Sequence, residues 1–128
     1  MSDDNVDLGL NGKWIVEYFI DNDVKIIKTD ENTWSDIENI NITANFINSD
    51  NSNGGIVTGI RATNNYTGSY EFSLNGEISF KDLGSTKINE PKWTDLYKLD
   101  KAEHYEINND KLIIYYNDRN NAIVFIRE

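Results

Sequence analysis

The sequence predicts a mainly β (α+β) fold: an antiparallel, barrel-like sheet of about eight strands with one short helix. Three observations carry that expectation. Most segments alternate apolar and polar residues with period two rather than 3.6. Turn-forming residues recur roughly every ten positions, as hairpin-connected strands require. A single stretch, following the chain's one proline, has helical spacing.

Taken in order, residues Met1 to Gly9 are a polar lead (Ser2, Asp3, Asp4, Asp7) that no packed element would bury, and they read as a flexible tail before one domain over 10–128. Lys13 to Ile20 is β-branched and aromatic, lies between Asn11-Gly12 and Asp21-Asn22-Asp23, and reads as a strand. Val24 to Lys28 is a short second one. Thr33 to Asn39 stays open between a helical turn and a loop. From Ile40 to Ile47 the residues Ile40, Ile42, Ala44 and Phe46 share a face, which describes a strand with one wet side. The run Asn48 to Gly55 is a hairpin loop, because Gly and Asn accept positive φ while Asp and Ser bond their own backbone.

Ile56 to Ala62 returns as a strand, and a connection containing Asn64 leads to Ser69 to Leu74. Asn75-Gly76 then turns that strand into Glu77 to Lys81; Tyr70, Phe72 and Leu74 share one face, as do Ile78 and Phe80. After Pro91, residues Trp93, Leu96, Tyr97 and Asp100 fall at helical spacing, which predicts a helix of two or three turns across the barrel. His104 to Ile107, Lys111 to Tyr116 and Ala122 to Arg127 close the sheet.

The 128 residues suffice for one core without disulfide or zinc staples, burying roughly two-thirds of the unfolded surface. With 22 acidic against 12 basic residues the formal charge is −10, which removes the footprint of a nucleic-acid binder and argues against an anionic membrane surface. No run approaches the ~20 apolar residues of a membrane span. An acidic run directly after a lipidated cysteine resembles the surface-export signal of Bacteroidota lipoproteins. On that reading Met1 stands where a trimmed precursor had its cysteine; a frayed native terminus is the alternative.

Chemistry-bearing patterns are scarce. His104 is the only histidine and cysteine is absent, which excludes a multi-histidine metal site and any thiolate chemistry. No G-x-S-x-G elbow or phosphate-cradling glycine loop occurs, so His104 reads as an ordinary strand residue. Aspartates near Asp21 to Asp23 and Asp50 invite a calcium reading. With Gly54 at the sixth position of a calcium loop, however, Ile60 falls where the twelfth-position glutamate belongs. No cofactor is expected. The three Trp, seven Tyr and five Phe either fill the barrel or line a hollow for an apolar ligand; small barrels are ordinarily filled.

The segment from Gly59 to Tyr70, GIRATNNYTGSY, resembles the signature of the META domain family, the group that includes HslJ-like heat-shock proteins. Gly59, Asn64, Gly68 and Tyr70 occupy matching positions, with Ala62-Thr63 where the family often has Gly-Cys. A second family element resembles Thr86 to Pro91: Thr86 and Pro91 match, Ile88 replaces a methionine, and Glu90 stands at the second cysteine. Both cysteine positions are therefore changed together. The resemblance covers about residues 10 to 128. It implies a partly closed antiparallel barrel with a helix, often envelope-anchored, linked to stress or virulence, and without an established catalytic activity. Gly59 and Gly68 would then serve where a strand bends or a turn needs positive φ, and Asn64 would bond backbone in the connection.

A rival likeness joins Gly12-Lys13-Trp14 on the first strand to Arg127 on the last, which resembles the lipocalin arrangement. An arginine packed over that indole would close the barrel floor. The expectation is accordingly a monomeric, non-enzymatic envelope or surface protein, an exported lipoprotein, that binds a protein partner through its loops or an edge strand, protease inhibition included. The alternative is a lipocalin-like carrier of a small apolar ligand.

Overall fold

Alternation does produce strands. In the computed structural model, which describes residues 9–29, 31–33, 41–49 and 53–128, nine strands are found among the described residues. They are β1 (Gly12–Asp21), β2 (Val24–Ile26), β3 (Thr43–Asn48), β4 (Gly54–Arg61), β5 (Asn64–Phe72), β6 (Ile78–Ser85), β7 (His104–Asn108), β8 (Lys111–Tyr116) and β9 (Asn121–Arg127). Every pairing is antiparallel, in the order β6-β5-β4-β3-β1-β9-β8-β7, with β2 hanging off β1. The two end strands meet through one bridge, Glu77 with His104. The sheet thus curls into a half-barrel whose last gap is a seam.

Two irregularities help it curl. The β1–β9 register passes from Tyr18 to Val16 and skips Glu17, so Trp14, Val16 and Phe19 all end up buried. The β5–β6 register breaks between Thr67 and Ser69, at Gly68. Each extra residue bends its strand and increases the local twist.

The inward positions form one continuous core in which Trp14, Phe46, Tyr70, Phe80 and Phe125 are all buried. Phe46 meets Tyr70 edge-on at 5.0 Å and Phe80 at 6.1 Å, and Tyr97 meets Phe125 at 6.0 Å between ring centroids. These rings fill the space that a hollow barrel would leave. Burying each such side chain is worth about 1.5–3 kcal/mol.

Three expectations change. The connection after β4 is only Ala62-Thr63, and Asn64 is the first residue of β5 rather than part of a loop. Ala62 makes this tight turn possible by adopting a φ of 55°. β6 runs on to Ser85, past Lys81. The expected helix becomes two 3-10 turns, Lys92–Leu96 and Leu99–Lys101. Trp93 and Leu96 are three apart, a spacing that suits 3.0 residues per turn as well as 3.6. Thr94 Oγ1 donates to Pro91 O at 2.8 Å, a local bond that competes with α-helical continuation. Residues 34–40, Asp50 and the tail over 1–8 lie outside the described residues. Gly9, by contrast, already belongs to the domain, since its carbonyl accepts from Arg127.

Candidate functional site

At one end of the barrel, Trp14 is fully buried and donates Nε1–H to Leu10 O at 2.9 Å. The Arg127 guanidinium lies over its ring at 4.1 Å and donates to Asn11 O at 3.1 Å and Gly9 O at 3.2 Å. Gly12 is required here twice over. Its φ is 119°, and a Cβ would stand 2.9 Å from Arg127 Nη1. Trp14 and Arg127 are therefore in the contact that their positions on the first and last strands suggested.

The opposite end is covered by residues 86–101, and one side chain holds that segment down. Asn64 is buried with all four of its hydrogen-bonding positions used. Its Oδ1 accepts from Thr86 Oγ1 at 2.7 Å and Ile88 N at 2.8 Å, while Nδ2 donates to Ile88 O and Glu90 Oε2, both at 2.7 Å. The two separated motif segments thus meet in space. Thr63 bonds the same segment, its Oγ1 donating to Asn89 O at 2.8 Å. Pro91 precedes the first 3-10 turn and is buried.

Neither Gly59 nor Gly68 has a positive φ; of the two alternatives expected, Gly68 meets the bending strand, at the register break between Thr67 and Ser69. Gly59 faces Tyr66 across the β4–β5 ladder, and a Cβ there would run into Thr43 O and come within 2.8 Å of the Tyr66 ring. The glycine lets the tyrosine lie across the strand. Gly68 sits at the β5–β6 bulge beneath Leu83. Tyr70 is a core residue whose hydroxyl donates to Asn48 Oδ1 at 3.1 Å, and burial pushes its pKa up to about 12.

Laid across Gly59, Tyr66 donates to Thr43 O at 2.7 Å. Its single proton being spent there, the 2.5 Å contact with Tyr97 must have Tyr97 as donor. Burial holds both phenols far above their ordinary pKa of 10.0, against the pull of Arg61. Arg61, the last residue of β4, reaches Glu90 Oε1 and Thr94 O with Nη2, each at 3.4 Å. Its Nε is buried without a hydrogen-bond partner.

These groups surround a cavity of about 350 Å³ at the seam, lined by Arg61, Tyr66, Leu83, Gly84, Ser85, Lys87, Tyr97, Leu99 and Asp100. It forms because β6, beyond the Glu77–His104 bridge, faces the 3-10 turns instead of another strand. Arg61 and Lys87 were not singled out in the sequence, and Tyr97 was named there only for its helical spacing. A signal existed for Arg61, which shares the inward parity of Val57 and Gly59 on its strand. His104 sits half-buried in the edge bridge. Among the described residues no group of three or more His, Cys, Asp or Glu is placed to hold a metal. Asn22 and Asp23 form the left-handed turn between β1 and β2, and Asp21 accepts from Asn121 Nδ2 at 3.0 Å.

Fold and site together define a curled antiparallel half-barrel with a filled interior, a stacked arginine–tryptophan floor and a pinned segment over its mouth. Neither a protein-family model nor a curated protein sequence matches the chain. Among solved structures it is similar to a DUF4847 family protein from Bacteroides vulgatus ATCC 8482, at 15% identity over 95% of this chain and 96% of that one, with a TM-score of 0.64. At this identity the likeness speaks to the fold alone.

Proposed function

We propose that the chain is a non-enzymatic accessory protein of the bacterial cell envelope, META/HslJ-like in type and carried as an exported lipoprotein, that acts by binding a protein partner. Inhibition of a protease is one form this could take. The observation that carries the reading is a pair of isoleucines. Ile47 and Ile56 face each other across β3 and β4, one pair in from the Asn48–Gly55 end of that ladder, each 51% exposed. Around them the outward positions of β3, β4 and β5 are Thr43, Asn45, Thr58, Ile60, Asn65, Thr67, Ser69 and Glu71, with Glu71 the one charge among them, in a chain that is 27% charged. A face with exposed aliphatics and a single charge is what a partner surface needs.

A carrier reading is supported by the Arg127–Trp14 stacking at 4.1 Å, the arrangement that lipocalins resemble. The packed aromatic interior favours the partner reading over it. Replacing Ile47 by lysine and Ile56 by glutamate together, which keeps an attractive cross-strand pair, tests the choice. The expected outcome is unchanged thermal stability, with loss of a specific envelope-extract protein or of inhibition of a co-resident protease that the unaltered chain displays. If the unaltered chain retains no protein and inhibits no such protease, the proposal fails.

A further inference from the structure

The seam cavity has chemistry of its own, at the mouth of the barrel and away from the isoleucine pair. Its size, about 350 Å³, lies in the range of small-ligand sites. Arg61 brings a guanidinium with five N–H donors to its wall, and its hydrogen bond to Thr94 O and its ion pair with Glu90 Oε1 both use Nη2, each at 3.4 Å. A partly enclosed guanidinium with donors to spare is a receptor for carboxylate. Lys87 lines the same cavity and takes part in no ion pair among the described residues.

The surrounding charge points the same way. Residues 81–101 carry five of the chain's 12 basic residues and four of its 22 acidic ones, a net of +1 within a chain of −10. The stretch bordering the seam therefore repels an anion less than the chain as a whole does. Leu83 and Leu99, with the rings of Tyr66 and Tyr97, supply an apolar wall beside the two cations. Asp100 lines the cavity too and sets a limit, since its carboxylate disfavours a second negative charge on the ligand.

We propose that the seam cavity binds a small monocarboxylic acid with a compact apolar body, its carboxylate held by Arg61 and Lys87 and its body against Leu83 and Leu99. The proposal is independent of the partner surface on β3 and β4 and survives the failure of that reading.

Titrating the full chain with benzoate, benzamide and succinate, followed by amide chemical shifts, tests it. Benzoate is expected to give saturable shifts confined to Arg61, Gly84, Ser85, Lys87, Leu99 and Asp100, while equal concentrations of benzamide and succinate give none. Lys87→Gln, an exposed position that cannot threaten folding, should weaken benzoate about threefold. Arg61→Gln should weaken it at least tenfold, of the order of one charge-assisted contact. Asp100→Asn should tighten benzoate and admit succinate. Equal shifts from benzamide, shifts centred elsewhere, no saturation, or indifference to Lys87→Gln and Asp100→Asn would each overturn the assignment.

Discussion

The two ends of the half-barrel are closed by different physics. At the floor, Trp14 and Arg127 are themselves ladder partners of β1 and β9, so the closure is woven into the sheet register. At the mouth, residues 86–101 are laid over the opening and held by polar contacts: Asn64 on Thr86, Ile88 and Glu90, and the Tyr97–Tyr66–Thr43 relay. Breaking the floor means breaking the sheet. The mouth can lift while the sheet survives, because local opening costs only the contacts of the segment that moves. The ligand cavity lies on the mouth side of this divide.

The largest expected effect tests the floor. Trp14→Ala empties a fully buried position and removes the platform under Arg127, which should cost about 3–5 kcal/mol in urea unfolding and loosen the whole domain at once. Asn64→Ala should cost less, about 2–3 kcal/mol, because the backbone groups it abandons can be solvated once the segment lifts. Its signature is regional. Hydrogen exchange should quicken at Trp93, Tyr97 and Ala102, whose amides bond Asn32 O, Thr94 O and Leu99 O, while β1 and β9 keep their protection. Uniform loss of protection would mean that the mouth is not a separate unit.

The same divide explains what could be read from the sequence. Floor and sheet were legible because strand alternation and hairpin turns are local: Ile42, Ala44 and Phe46 are buried on one face as their spacing requires, and Trp14 meets Arg127. The mouth depends on contacts between distant positions. Asn64-Asn65 look like turn residues, and nothing local reveals that Asn64 opens a strand in order to reach Ile88, 24 positions away. Ala62 hid the true turn, since a left-handed alanine carries no compositional signal. The charges and glycine of Lys81 to Ser85 concealed the end of β6, although that unpaired edge is what creates the seam. Leu83 and Leu99 line one cavity, yet Leu83 falls past the strand that the spacing predicts and Leu99 within the predicted helix.

The smallest effect at neutral pH should come from Tyr97→Phe, which deletes one hydroxyl and its bond to Tyr66 at a cost of about 1 kcal/mol. Its value lies in alkali. Tyr97 and Tyr66 are neutral in the fold and titrate far above 10.0 there, whereas the unfolded chain ionises them near 10.0. The unfolded state therefore sheds its protons first, and stability is fully present below pH 10.0 and declines as pH rises beyond it. Each such tyrosine contributes up to about 1.4 kcal/mol per pH unit to that decline. Tyr70, raised to about 12 in the core, adds its share between 10.0 and about 12. Urea unfolding at several pH values from 9 to 11 should thus show Tyr97→Phe losing ground to the unaltered protein at pH 9 and recovering it by pH 11. Parallel curves for the two proteins would mean that the relay is not a pH-sensitive pin, and the mouth would then differ from the floor in topology alone.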